Sequence, residues 1–403
     1  MDENDVPPLF LCPISLQLMR DPVTVCTGIT YDRENIEKWL SSCKNYTCPV
    51  TKQPLSQHTD LTPNHTLQRL IQAWCSHSAC LGIENVPTPK PTIDKTQILK
   101  LISEAKRFPE KQLKCLKSLQ SIALESESNK LCLVSSGVIL IDFLASIMLS
   151  CISQEDSPLK SEVAIEVLFH LNPCGAQLKN LINNEGTIQL IEALFQVLRH
   201  GNYKSRSYAT MLLKSAFEVA GPTQSSSVRT ELFVEITRFL KDQVSNQGSK
   251  AALKLLVELC SWGRNRIKAV EGGSVLVLIE LLFEVSERRS CELMLAALDK
   301  LCDCAEGRAE FLSHGAGLAI VSKKILWVSH VASDRGVRIL SSICRYSATT
   351  KVLQEMLQFG VVSKLCLVVQ VESSFKAMET LKLHSGVWKN SPCIPLPLLS
   401  FHP

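Results

Sequence analysis

An apolar stripe with helical spacing returns along most of this chain at nearly constant intervals. Ala164, Val167, Leu168 and Leu171 stand at i, i+3, i+4 and i+7, which fall on one face of an α-helix. The stripe recurs as Ala209, Leu212, Leu213, Ala216, as Ala252, Leu255, Leu256, Leu259, as Met294, Ala297, Leu298, Leu301 and as Gly336, Ile339, Leu340, Ile343. A degraded copy (Cys115, Ser118, Leu119, Ile122) precedes them, and a polar-tinged one follows from Ala377. Successive stripes begin 49, 45, 43, 42, 42 and 41 residues apart. One amphipathic helix arises by chance, but six near-equal steps do not. Each repeat leaves an apolar face that only its neighbours can cover, so this region must stack as a helical solenoid.

A second landmark keeps the same phase. Some 20 to 24 residues after most stripe starts, a glycine opens an apolar run: Gly137, Gly186, Gly272, Gly315 and Gly360. Glycine supplies the backbone angles for two helices meeting at a sharp corner. The third repeat carries AGPTQSSSVRTE instead, which predicts a longer loop there. A period of 40 to 47 residues is that of armadillo or HEAT arrays. Grooves that hold basic peptides in nuclear import use repeated Trp and Asn ladders. Trp262 and Asn265 are one loose echo of that pattern, so a transport adaptor is disfavoured.

Composition narrows the function class. The chain has 403 residues, 45% of them hydrophobic but only 6% aromatic, which favours packed helices over a β-sandwich. Its formal charge is +4 with no run of five basic residues, so no nucleic-acid partner is expected. The opening MDENDVPP is acidic, unlike a secretory or transit signal. The longest apolar stretch, from Gly137, is broken by Asp142 and is too short to cross a bilayer, so no transmembrane segment is expected. Seventeen scattered cysteines, an odd number, suit free thiols in a reducing compartment. The expected location is the cytoplasm, with the nucleus also open.

The first ninety residues differ. Prolines and turn residues crowd them, and VPTPKPTIDK, from Val86 to Lys95, marks a boundary. Residues 10 to 80 read as a compact ββαβ-like unit with PVTV as a strand and Thr27-Gly28 as a turn. Asp32 is positioned to cap the helix carrying Ile36, Trp39 and Leu40 by accepting the Asn35 amide, and Asn64 to cap a second helix. Cys12-Pro-Ile-Ser15 and Cys48-Pro-Val-Thr51 sit where Cys-x-x-Cys zinc knuckles would, but the second position of each is a hydroxyl residue. Tetrahedral zinc wants four thiolate or imidazole ligands, and Cys26, Cys43, His58 and His65 do not complete two sites. Polar bonding, with Ser15, Asp21, Thr27 and Thr51 as members, must then hold the loops, and no metal or other cofactor is expected.

The stretches DPV, TGITYDR, IEKWL, CPVTKQPL, LTPNHTL and LIQAWC resemble the signature of the U-box, the zinc-free relative of the RING finger. With the repeats behind it, the whole chain resembles the plant U-box armadillo family of E3 ubiquitin ligases, and the tail LKLHSGVWKNSPCIP resembles a subgroup associated with defence and stress signalling. The implied fold is mainly α: a small α+β U-box at residues 5–80, a Pro-rich linker at 81–94, and an armadillo solenoid of about seven repeats at 95–403. The resemblance implies a ligase without a covalent ubiquitin intermediate, which binds a ubiquitin-charged E2 enzyme while the repeats hold protein substrates. Ile14, Trp39 and Pro49 match the E2-facing groove, and Lys52 matches a basic residue that contacts both E2 and ubiquitin. Cys12, Asp21, Thr27, Asp32 and Asn64 take structural parts. A non-catalytic scaffold is the competing class, and homodimerisation is left open.

Overall fold

A computed structural model describes residues 6–42, 47–55, 61–78, 95–125, 127–150, 158–172, 186–372 and 375–383. The expected linker at 81–94 and the tail beyond residue 383 lie outside the described residues, as do Cys43 and His58. The chain divides into two compact units, one from residues up to 98 with 121–135, the other from 99–120 and 136 onward.

In the first unit, strands β1 (Pro22–Thr24), β2 (Thr30–Asp32) and β3 (Thr62–Pro63) form an antiparallel sheet in the order β2-β1-β3. Gly28, with φ of 81°, turns β1 into β2. Helix α1 (Arg33–Ser42) follows β2 directly, and α2 (His65–Ser78) follows β3. The Asn64 side chain caps α2 by accepting the Leu67 amide at 3.0 Å. Cys12, Met19, Val23, Tyr31, Ile36, Cys48, Leu55 and Ile71 form its buried core.

The second unit is helical throughout its described residues. The stripe helices Pro158–Leu171, Tyr203–Val219, Asn246–Leu259, Arg288–Leu301 and His330–Tyr346 carry the repeated stripe, and every stripe residue in them is buried. The apolar helix Gly137–Ser150 buries Leu140, Ile141, Phe143, Leu144, Ile147 and Met148. No single described helix is long and apolar enough to cross a membrane; Thr350–Gln358 and Val361–Val371 qualify only as a pair, bent by 68°.

A polar ladder keeps these helices in phase. Asn202, Ser245, Glu287 and Ser329 each lie seven residues before a stripe start, and each caps its helix with its side chain. The residue two before each stripe then reaches the cap of the next helix. Ser207 pairs with Ser245 at 2.7 Å, Lys250 with Glu287 at 3.3 Å, and the Ser329 hydroxyl donates to Glu292 at 2.8 Å. A cap thus satisfies its own helix end and fixes the register of the repeat before it.

Two expectations change here. The segment expected to be a longer loop contains a short helix, Pro222–Ser226, with Gly221 and Pro222 opening it. Asn265, fully buried, ties that helix down by donating to the Ser225 carbonyl at 2.6 Å and to Leu259 at 3.0 Å, so it props the fold and is no part of a peptide ladder. At the corner after Glu271 the left-handed residue is Gly273 (φ 77°), whereas Gly272 has φ −72°. Gly137 and Gly360 take positive φ, as the corner argument requires, whereas Gly315 does not.

Close packing at Gly307 gives a test. A Cβ there would stand 2.0 Å from the Leu301 carbonyl oxygen, a backbone atom that cannot turn aside, whereas at Gly263 nothing lies within 4 Å. Gly307→Ala is expected to destabilise the protein by about 1–3 kcal/mol or more. Gly263→Ala, in the first turn of a helix, should be neutral or slightly stabilising. Denaturant unfolding of the full chain checks both.

Candidate functional site

Two loops of the first unit are built to one plan. Bridges Leu11–Leu18 and Thr47–Pro54 close them. In the first, the Cys12 amide donates to the Gln17 carbonyl and the Leu16 amide to the Cys12 carbonyl, both at 2.8 Å. In the second, the Cys48 amide donates to Gln53 at 2.8 Å and the Lys52 amide to Cys48 at 2.9 Å. Leu16 and Lys52 occupy the same place in each loop, and both are left-handed, with φ of 56° and 61°. That conformation costs a non-glycine residue on the order of 1–2 kcal/mol, so each loop needs strong support.

Buried sulfur provides it. The Cys12 Sγ accepts the Asp32 amide at 3.3 Å and Asn35 Nδ2 at 3.8 Å. The Cys48 Sγ accepts the Thr27 hydroxyl at 3.3 Å and the Thr51 amide at 3.5 Å, and it pairs with the Tyr31 hydroxyl at 3.0 Å. The Tyr31 oxygen in turn accepts the Val50 amide at 3.2 Å. Burial, with the bond to Cys48 next, pushes the Tyr31 phenol well above its ordinary value, so it stays protonated and donates. Burial also pushes the Cys48 thiol up, but the bonds from Thr27, Thr51 and Tyr31 outweigh it and bring the thiol down to about 6. Ser15, at the other knuckle, accepts Asn35 Nδ2 at 3.1 Å. Among the described residues no three His, Cys, Asp or Glu side chains are grouped to hold a metal.

Asp32 works differently from the expected helix cap. Its carboxylate accepts the Arg20 and Asp21 amides at 2.8 and 2.9 Å rather than the Asn35 amide, and so ties the chain after the first loop to β2. Asp21 pairs through its own carboxylate with Arg33 at 2.6 Å, joining that segment to the start of α1.

One edge of α1 touches both loops. Asn35 bonds the first loop, and Trp39, one turn later, donates its indole N–H to the Thr47 carbonyl of the second at 3.0 Å. Lys52 Nζ lies 5.7 Å from the Trp39 ring centroid, within cation–π range. Ile14, Trp39 and Pro49 are each half-buried, Ile14 and Trp39 packing against the core. Leu40 is half-buried as well, so Ile36 alone of the helix stripe is fully enclosed. The sequence reading missed Leu16 and Val50, apolar side chains on the same loops that are 74% and 51% exposed. It also missed Tyr31, although strand alternation between Thr30 and Asp32 points it inward.

The sulfur network gives a pH test. Because the folded Cys48 thiol lies below the ~8.5 of an unfolded cysteine, the stabilisation is complete above that pH and is lost as pH falls through about 6. The melting temperature of the first unit should therefore rise between these limits, and Cys48→Ser should flatten the rise. A chelator is expected to leave the transition unchanged.

Comparison with known proteins places this geometry. Residues 6–79 match the U-box domain and residues 97–401 the plant U-box protein ARM repeat region. The chain is 51% identical to E3 ubiquitin-protein ligase PUB23 of Arabidopsis thaliana, covering 100% of this chain and 98% of that protein. It is 48% identical to E3 ubiquitin-protein ligase PUB22 of the same plant, covering 100% and 99%. A solved structure described as "A conserved phosphorylation switch controls the interaction between cadherin and beta-catenin in vitro and in vivo" superposes with a TM-score of 0.58 at 14% identity, covering 78% of this chain and 58% of that one, which supports the armadillo fold alone. The two family matches, with full-length relatives at about half identity, show that this chain belongs to the plant U-box armadillo-repeat family.

Proposed function

We propose that this E3 ubiquitin-protein ligase binds ubiquitin-charged E2 on the surface carrying Ile14, Trp39 and Pro49, with Lys52 beside it to contact E2 and ubiquitin together. Residues 5–80 act as the ligase module and 95–403 hold protein substrates, in defence or stress signalling in the cytoplasm. The observation that carries the reading is the edge of α1, where Asn35 and Trp39 join both braced loops and leave apolar side chains half-exposed beside them.

The chemistry needs no protein nucleophile. A substrate lysine attacks the E2–ubiquitin thioester, the E2 thiolate leaves, and an isopeptide bond forms. The ligase contributes proximity and orientation, worth several kcal/mol of barrier when the reacting atoms are held in line. Two strained loops braced on a core are suited to this, because a docking surface that must order itself on binding loses part of its affinity.

Truncating Ile14 or Trp39 to alanine is expected to cost ~2 kcal/mol of E2 binding, roughly a thirtyfold loss of transfer at limiting E2. Trp39→Ala should also loosen the second loop by removing the bond to Thr47, whereas Trp39→Phe keeps an aromatic ring and loses only that bond. Discharge of ubiquitin from a panel of charged E2 enzymes, with circular dichroism on the same samples, measures this. A folded Ile14→Ala protein with unchanged discharge from every E2 that the wild type uses would refute the site.

A further inference from the structure

The stripe helices Tyr203–Val219, Asn246–Leu259, Arg288–Leu301 and His330–Tyr346 stack directly on one another. Together they carry eleven basic residues against five acidic ones, while the other helices between residues 222 and 372 carry ten against nine. The positive excess of this region is therefore concentrated on the stack, where every basic residue except the buried Arg206 is at least partly exposed.

Two clusters give this charge a shape. Glu292 is gripped by Arg288 and Arg289, each at 3.1 Å, and Asp299 by Arg335 and Arg338 of the next repeat, each at 2.8 Å. The carboxylates are 8% and 5% exposed, while the four guanidinium side chains are 72%, 57%, 32% and 35% exposed. One carboxylate neutralises one arginine, so each cluster keeps a net positive charge and presents unused N–H donors to solvent. Guanidinium is weakly hydrated and matches a carboxylate with two parallel bonds. The anchoring carboxylates hold the planes in place beforehand, which lowers the entropy lost on binding. Glu292 and Asp299 stand seven residues apart on one helix, about 10 Å along its axis. Three residues of extended chain span about the same distance.

We propose that this face docks an acidic, extended segment of a partner protein, whose carboxylates at every third position seat on the two arginine clusters. The inference rests on the reading that the repeats hold substrates, and it adds the chemical class that they select.

The test uses the full chain and two short fluorescent peptides of equal length, one with Glu at every third position between Ser and Gly, the other with Lys in place of Glu. Fluorescence anisotropy should show saturable binding of the acidic peptide alone, weakening about tenfold as salt is raised toward 0.3 M. Arg289→Glu and Arg335→Gln should each weaken it about tenfold, while Lys351→Glu, an exposed charge change on another helix, should leave it unchanged. Arg335→Gln keeps Arg338 on Asp299, and Arg289→Glu alters a side chain that is largely exposed, so neither is expected to unfold the array. Equal binding of both peptides, or acidic-peptide binding indifferent to both substitutions, would overturn the proposal. A wild-type protein that modifies itself with ubiquitin yet binds neither peptide would also overturn it, and would leave the ligase reading standing.

Discussion

The bond between Tyr31 and the sulfur of Cys48 is the contact on which the second loop of the U-box depends. It lies between β2 and the second loop, and the same hydroxyl accepts the Val50 amide, so one buried side chain bonds the loop at two points. A thiol alone is a weak hydrogen-bond partner. Surrounded by three donors and shut away from water, it becomes a strong acceptor, because each donor favours the ionised form and the low local dielectric magnifies the attraction. A metal ion would draw four ligands together by coordination; here the donors of one strand, one turn and the loop itself converge on an anion-like sulfur. The left-handed Lys52 is tolerated because that bracing over-determines the second loop, as the donors to the Cys12 sulfur do for Leu16 in the first.

The solenoid solves the same problem of order with a different device. Apolar stripes bring its helices together, yet stripes alone tolerate sliding, since Leu on Leu fits in more than one register. The caps remove that freedom. Ser245, Glu287 and Ser329 each satisfy the N-terminus of their own helix and bond a side chain of the preceding one, so a slip would leave orphan donors. Burial supplies the driving force, and the ladder supplies the register.

Much of this was legible in the sequence because it repeats. The stripes fixed the helices, and Asn64 followed by an apolar helix marked a cap that the structure contains. The caps of the repeats were legible too, at seven residues before each stripe, but Asn, Ser, Glu and Ser share a role rather than an identity. The site was harder to read. Asp32 has the sequence position of a helix cap, and only the fold brings the Arg20 and Asp21 amides closer to its carboxylate. Trp39 reads as an edge residue of a helix, while its bond to Thr47 depends on a loop whose path the pattern does not encode. Leu16 and Val50 look like core residues until the loops turn them outward. Long-range polar pairing and loop direction are tertiary facts, invisible to periodicity.

Amide hydrogen exchange in a Tyr31→Phe protein, followed residue by residue along the full chain, tests this account most directly. Removing one oxygen should accelerate exchange at Val50, Thr51 and Lys52 while leaving the matching first-loop amides of Cys12 and Leu16 at wild-type rates. Unchanged protection in the second loop, or equal acceleration in both loops, would contradict the claim that a sulfur-centred network holds the proposed E2-binding surface in place.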